Sequence, residues 1–427
     1  GNVNLGSGTL TIDGAASTTY SGVISDGGNA GSLVVSLGSA NTLTLANVST
    51  YTGGTTVNSG TLQLNVANAL SSSGPLTVNG TGTGPSPVPA VDGTVQLNGN
   101  NLAVGDLSGT GRYATVANTT GGAATLTLNT SGYSTYGGTL SDTASTPLSL
   151  VMAGSGTELM SGESVIHGGV DIQGGTLRIN GSLDDSQGTG IKVENGASLH
   201  GVGTIYGSIA VMPGGTYGPG NSPGTQNIST LTLSGGSGVE FDTAIATSTY
   251  NDQTHTGTYT SLANINSGGG NLVVDSSVTA ASPVVVSVES YATASPSTMG
   301  PLTLQGGVSG SSNFNPNGSY QWEYITFTGS YINNSTGDLS LNQIFTFNSS
   351  SITEFVAQNP GALLSDFSVS MSGNVLYIDY GPSAVPEPGS MLLAAIAAMG
   401  AAGFGWRRRR QTKLEPDNSS QPQGGEA

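Results

Sequence analysis

Over residues 1–235 the apolar side chains fall at alternate positions in short runs, and each run stops at a cluster of Gly, Asn or Ser. The stretch "YTGGTTVNSGTLQL" (51–64) shows the pattern: Val57, Leu62 and Leu64 alternate with polar residues around the turn Asn58-Ser59-Gly60. A period of two sends successive side chains to opposite sides of an extended strand, so the segment predicts short strands joined by a tight turn. Such a unit is too short and too polar to make a core alone. It needs another unit stacked on it.

Diverged copies supply that partner. "GTLTIDGAASTTYSGVISD" (8–26) aligns with "ATLTLNTSGYSTYGGTLSD" (124–142), placing Tyr20, Gly22 and Asp26 on Tyr136, Gly138 and Asp142. "GGTTVNSGTLQLN" (53–65) aligns with "GGVDIQGGTLRIN" (168–180), placing Gly60, Thr61 and Leu62 on Gly175, Thr176 and Leu177. Glycine-punctuated alternation that repeats along the chain predicts an all-β protein, a parallel β-helix (β-solenoid) over residues 1–235. Residues 8–65 and 124–180 are expected at equivalent positions on successive coils, with Leu62, Leu64, Leu177 and Ile179 in the bore and the Thr, Ser and Asn rows outside. The segment 196–235 continues the pattern until Pro213, Pro219 and Pro223, where a loop leaving the solenoid is expected because proline cannot donate to a ladder. Strands resume at Leu231.

Residues 236–380 are less repetitive. "NLVVD" (271–275), "PVVVSVES" (283–290), "YQWEYITF" (320–327) and "QIFTF" (343–347) read as strands, and "FSVSMSGNVLYIDY" (367–380) reads as a hairpin around Ser372-Gly373-Asn374. The region is expected to be a β-rich continuation or cap of the solenoid, with a separate β-sandwich as the alternative. No helix-period stripe occurs until the uncharged run Ser390–Trp406, which follows Pro386-Glu387-Pro388 and precedes Arg407, Arg408, Arg409 and Arg410. Seventeen residues of helix span about 25 Å, the short limit for a bilayer. Residues 381–410 thus predict a break, a short membrane helix with Trp406 at the interface and a cytoplasmic arginine stop. Residues 411–427 read as a disordered polar tail.

Composition narrows the function. Charged residues make up only 8% of the 427, and glycine accounts for 68. Of eight Lys and Arg, all but Arg112, Arg178 and Lys192 lie beyond residue 406, whereas 22 of the 25 acids precede it. The body therefore carries a net charge of 22 acids against three bases, which repels phosphate backbones and argues against nucleic acid as a partner. Without Cys there is no disulfide framework or thiol nucleophile. The chain starts at Gly1 with no apolar leader, which reads as a mature or truncated start.

Two resemblances become specific on these residues. "YTGGTTVNSGTLQL" resembles the passenger-associated repeat of bacterial autotransporters, and "GVGTIYGS…GGTYGPGNSPGT" resembles a segment late in their passengers. The resemblance implies a right-handed parallel β-helix for residues 1–235. The alternating strands of an autotransporter membrane barrel are absent from this sequence, so self-secretion is not implied. Val385-Pro386-Glu387-Pro388, the apolar run and Arg407–Arg410, in this order, resemble the PEP-CTERM sorting signal of Gram-negative bacteria. That resemblance implies transient insertion in the inner membrane, cleavage by an exosortase near the motif, and a cell-surface, outer-membrane or matrix location, often beside exopolysaccharide. The 17 residues after Arg410 exceed the family's usual ending.

Candidate chemistry is sparse. Asp184-Asp185 resembles the paired aspartates of pectinase-like hydrolases, but without their accompanying His loop and Arg-Lys pair it reads as a turn. His167, His200 and His255 are too scattered in sequence to predict a metal site. Arg112, Arg178 and Lys192 are the only cations available to a uronate, and they read as solvated strand positions. Tyr320, Trp322 and Tyr324 alternate along one strand, a row that packs on a core or stacks on sugar rings, and they form the candidate glycan contact. No catalytic residue, metal or cofactor is expected. The leading expectation is a non-enzymatic surface structural or adhesion protein, with a β-helical polysaccharide hydrolase or lyase as the alternative.

Overall fold

The computed structural model describes residues 1–80, 92–220, 225–245, 258–260, 262–265, 270–291, 319–350 and 363–381. The chain divides into two units, Gly1–Gly381 and Pro382–Ala427, and the second lies outside the described residues.

The first unit is a parallel β-solenoid whose strands stack on three faces. On the first face, Thr9–Gly14 pairs in parallel with Ser32–Leu37, which pairs with the opening half of Thr55–Leu64 and then Leu76–Val78 and Leu107–Ser108. It resumes as Tyr133–Tyr136, Thr157–Met160, Gly175–Ile179, Ala197–Gly201 and Thr216–Pro219. The second face runs from Thr18–Tyr20 and Thr42–Leu45 through the closing half of Thr55–Leu64, Gly93–Gln96, Thr115–Asn118 and Thr139–Asp142. The third includes Leu102–Val104, Ala124–Leu128, Leu148–Met152, Val170–Ile172 and Ile191–Val193.

In-register stacking turns the sequence alternation into columns. On the third face Leu102, Leu126, Leu150, Val170, Ile191 and Ile209 lie in successive registers. On the second, Leu62, Val95, Val116 and Leu140 do the same. All are essentially fully buried. Each full burial of a Val or Leu side chain contributes about 1.5–3 kcal/mol, which a lone two-strand unit has no means to collect. Leu62, Leu64, Leu177 and Ile179 all point into this bore as expected, at most 1% exposed.

The two repeat copies are not at equivalent positions, however. Residues 55–64 run from the first face to the second, whereas their copy, Val170–Ile172 with Gly175–Ile179, runs from the third face to the first. Likewise Thr9–Gly14 lies on the first face and Ala124–Leu128 on the third. The repeat encodes a local object, two strands about a corner, and the second copy is rotated by one face. The corner glycine explains why the object survives rotation: Gly60 and Gly175 have φ of +74° and +61°, a conformation that a side chain disfavours.

The proline segment also departs from expectation. Thr216–Pro219 remains in the first face, paired with Ser198–Gly201, and Pro213 sits in a turn. Pro219 is tolerated because it ends its strand, and the next residue, Gly220, exchanges both backbone hydrogen bonds with Gly201. Pro223 lies outside the described residues.

Parallel stacking continues past residue 235. Gly238–Ile245 pairs with Val284–Tyr291, which pairs with Phe345–Phe347, and Leu262–Ile265 pairs with Tyr320–Phe327. Phe345–Phe347 is preceded by a short helix, Leu341–Ile344, where a longer strand was expected, because Ser340 and Gln343 form a capping box. The second face ends in the hairpin Phe367–Ser372 and Val375–Tyr380, turning through Gly373 (φ +57°). Its strand Val375–Tyr380 runs antiparallel to Tyr320–Phe327. No helix among the described residues is long and apolar enough to cross a membrane, and the segment expected to do so, Ser390–Trp406, lies outside them.

Candidate functional site

Three successive coils bring one carboxylate, one imidazole and a second carboxylate to a single corner, between the second and third faces. Asp142 ends the strand Thr139–Asp142, and its Oδ2 accepts the backbone N–H groups of Leu148 (2.5 Å) and His167 (2.8 Å). Its Oδ1 lies 2.5 Å from His167 Nδ1. Asp185, two coils on, accepts the N–H of Gly190 (2.6 Å) through Oδ2, and its Oδ1 is buried without a hydrogen-bond partner. The Asp142 side chain is fully buried and Asp185 nearly so. Burial pushes the Asp185 carboxyl above the usual carboxylate range; N–H groups of Gly190 and Gly169 and the His167 ring oppose that shift, and the Asp142 charge adds to it.

Asp142 accepts two backbone N–H groups at the corner and Asp185 one. Asp26 does the same at another corner, accepting from Gly28, Gly31 and both the N–H and hydroxyl of Thr52. These bonds, the Thr52 hydroxyl foremost, hold its carboxyl down at about 2. Corner capping satisfies buried donors that would otherwise cost about 1–3 kcal/mol each.

Of the sequence candidates, Asp185 and His167 meet here, while Asp184 turns away and accepts the N–H and hydroxyl of Ser186 in a turn. Asp142 was missed as a site residue, although the repeat alignment had already placed it on Asp26. His200 lies elsewhere, on the first face, 8% exposed and 3.6 Å from Glu240 Oε2. Gly218 stands between them, where any Cβ would strike the His200 ring. Burial, aided by the Arg178 charge, lowers His200 to about 3, so it is neutral. Arg112 pairs with Glu163 and Lys192 with Glu194. His255 lies outside the described residues. Among the described residues no group of three or more His, Cys, Asp or Glu is arranged to hold a metal ion.

Two of the three aromatic side chains in the candidate row point inward, and that of the third, Tyr320, lies outside the described residues. Trp322 is 4% exposed and Tyr324 fully buried, both within the core, and the Tyr324 hydroxyl donates to the Glu240 carbonyl at 3.4 Å. Neither offers a face to a sugar ring. The alternation was right; the side it addresses is the core, because Tyr320–Phe327 is flanked by strands on both edges and faces the bore.

A second polar feature was invisible in the sequence. The first face is interrupted after Leu107–Ser108, where it meets Tyr133–Tyr136 only through a bridge between Gly109 and Tyr136. At this seam the Ser134 hydroxyl donates to the Leu107 carbonyl (2.5 Å), and Glu158, in register with Ser134 and pointing into the bore, engages the Leu107 N–H. Two side chains thus replace missing ladder bonds. Glu158 is fully buried, with Thr130 donating to Oε2 at 3.2 Å, and burial raises its carboxyl to about 8.

Comparison with known families adds what the geometry does not. The passenger-associated-transport-repeat family matches residues 39–64 and 150–179, and the two matches close on corresponding positions, Leu64 and Ile179, of the rotated corner unit. The PEP-CTERM protein-sorting motif matches residues 384–410, spanning Val385, Pro386, Glu387, Pro388 and Trp406 to Arg410, all outside the described residues. No curated protein matches the chain. The chain therefore carries passenger-associated-transport repeats folded as a parallel β-solenoid together with a PEP-CTERM motif, which marks it for export, exosortase processing and sorting to the cell surface.

Proposed function

We propose that the protein is a non-enzymatic structural or adhesive rod of the cell surface or extracellular matrix, a right-handed β-helix released from or attached to the surface beside exopolysaccharide. The right hand follows from the strong preference of parallel strands in one sheet for right-handed connections. The observation that carries the reading is the use of its buried charges. Asp26 and Asp142 accept backbone N–H groups from their own and a following coil, so these buried carboxylates are engaged in holding the coils together. In this reading Pro386-Glu387-Pro388 is cut by the exosortase, Ser390–Trp406 inserts transiently in the inner membrane, and Arg407–Arg410 stop translocation.

A β-helical polysaccharide hydrolase or lyase is the second reading, favoured by one observation: His167 contacts Asp142 at a corner to which the next coil brings Asp185, so an imidazole and two carboxylates share one place. Incubating the purified protein with neutral and uronate polysaccharides separates the two. The scaffold reading expects no new reducing ends and no unsaturated products; turnover that disappears in Asp185→Asn would replace it with the enzyme reading.

A further inference from the structure

At the seam of the first face the outer surface holds a groove of about 530 Å³, formed across the strands Leu76–Val78, Leu107–Ser108 and Tyr133–Tyr136. Its volume is that of a small-molecule site. Thr77 and Ser108 are in register with their hydroxyls 2.9 Å apart, and Thr135 continues the row on the next coil. Asp106 lines the groove. Tyr133, also lining it, is 41% exposed. No Lys, Arg or His is among the lining residues.

These groups describe a ligand. An exposed aromatic face suits an apolar patch of C–H groups. A row of hydroxyls and an acceptor-only carboxylate suit a molecule rich in hydroxyl donors. A carboxylate without a cation beside it, in a body with 22 acids and three bases before residue 407, disfavours phosphate, sulfate and uronate. We propose that this groove is a binding site for a neutral saccharide, with Tyr133 stacked on one sugar ring, Asp106 accepting from its hydroxyls, and Thr77, Ser108 and Thr135 exchanging hydrogen bonds along it. The proposal rests on the reading of the protein as a non-catalytic surface rod and gives that rod a ligand.

Affinity electrophoresis and calorimetry of the full-length chain test it, using soluble oligosaccharides of neutral glucan, galactomannan and chitin type, with polygalacturonate fragments as the anionic probe. At least one neutral probe is expected to bind, and polygalacturonate more weakly. Tyr133→Ala should weaken that binding about tenfold, as loss of one aromatic contact implies; Asp106→Asn should weaken it further in combination. Both variants should keep the wild-type circular dichroism, and at pH 5 the wild-type melting temperature, since Tyr133 is exposed, the Asn is isosteric and the Asp106 charge acts on Glu158 only at higher pH. Failure of every neutral probe, equal or tighter binding of polygalacturonate, or unchanged affinity in both variants would overturn the site. Release of reducing ends from a bound probe would overturn the non-catalytic reading instead, while the groove still stands or falls with Tyr133→Ala.

Discussion

Replacing Glu158 by Gln should make the protein more stable at neutral and alkaline pH and leave it nearly unchanged in mild acid. In the folded chain this carboxyl is fully buried and raised from 4.5 to about 8, chiefly by loss of solvent. Between those values the folded state holds a proton that the unfolded state has released. Stability contributed by the neutral carboxyl is therefore complete below about pH 4.5 and drains away as the pH rises through about 8. The full gap corresponds to about 5 kcal/mol, and roughly 3 kcal/mol has gone by pH 7. Glutamine has the same shape, accepts from Thr130 through its one oxygen, can donate its amide N–H to the Ser134 hydroxyl beside it, and never ionises. Because a solenoid opens by coils, the assay is amide hydrogen exchange across residues 102–160 at pH 5 and pH 8, with urea melts alongside. The variant and the parent should differ by under about 1 kcal/mol at pH 5 and by several at pH 8. If the two share one pH dependence, Glu158 is not the neutral seam acid described above.

Other outcomes follow from the same packing. Leu177→Asp buries a carboxylate in the bore with no counter-charge, so it should unfold its coil, seen as proteolysis near residue 177; a variant as protease-resistant as the parent would contradict the bore assignment. Asp142→Ala removes the acceptor for Leu148 and His167 and should cost about 2–4 kcal/mol in urea melts, whereas Asp142→Asn should recover part of it through Oδ1. Asp26, held low by its corner bonds, should lose its stabilising effect only as the pH falls from about 4 through about 2; the acid limb of the melting curve should flatten in Asp26→Asn.

What the sequence revealed was local. Alternation around Gly60 and Gly175 identified the strands, the corners and the bore-facing Leu62, Leu64, Leu177 and Ile179, since those depend on period two and a left-handed glycine. The face each unit occupies depends on how many corners precede it, a cumulative property that no pairwise alignment contains, and so the copies came out rotated. The Asp142 corner was half legible: Asp26 aligned with it, but its partners, His167 and Asp185, come from two later coils. Glu158 gave no signal, because "TELM" alternates ambiguously and the ladder break it repairs arises where Leu107–Ser108, paired to Leu76–Val78 on one edge, meets Tyr133–Tyr136 only through the Gly109–Tyr136 bridge. Trp322 and Tyr324 show the same limit, as period two fixes that they share a face and leaves open which side is core.

The most direct test of the account is the intact mass of the protein isolated from the surface of its native host. Sorting through the motif at residues 384–410 predicts a mature chain ending near Pro388 and lacking the apolar run and the arginines. A surface form that still carries "RRRRQTKLEP" would make the segment a plain anchor and contradict it.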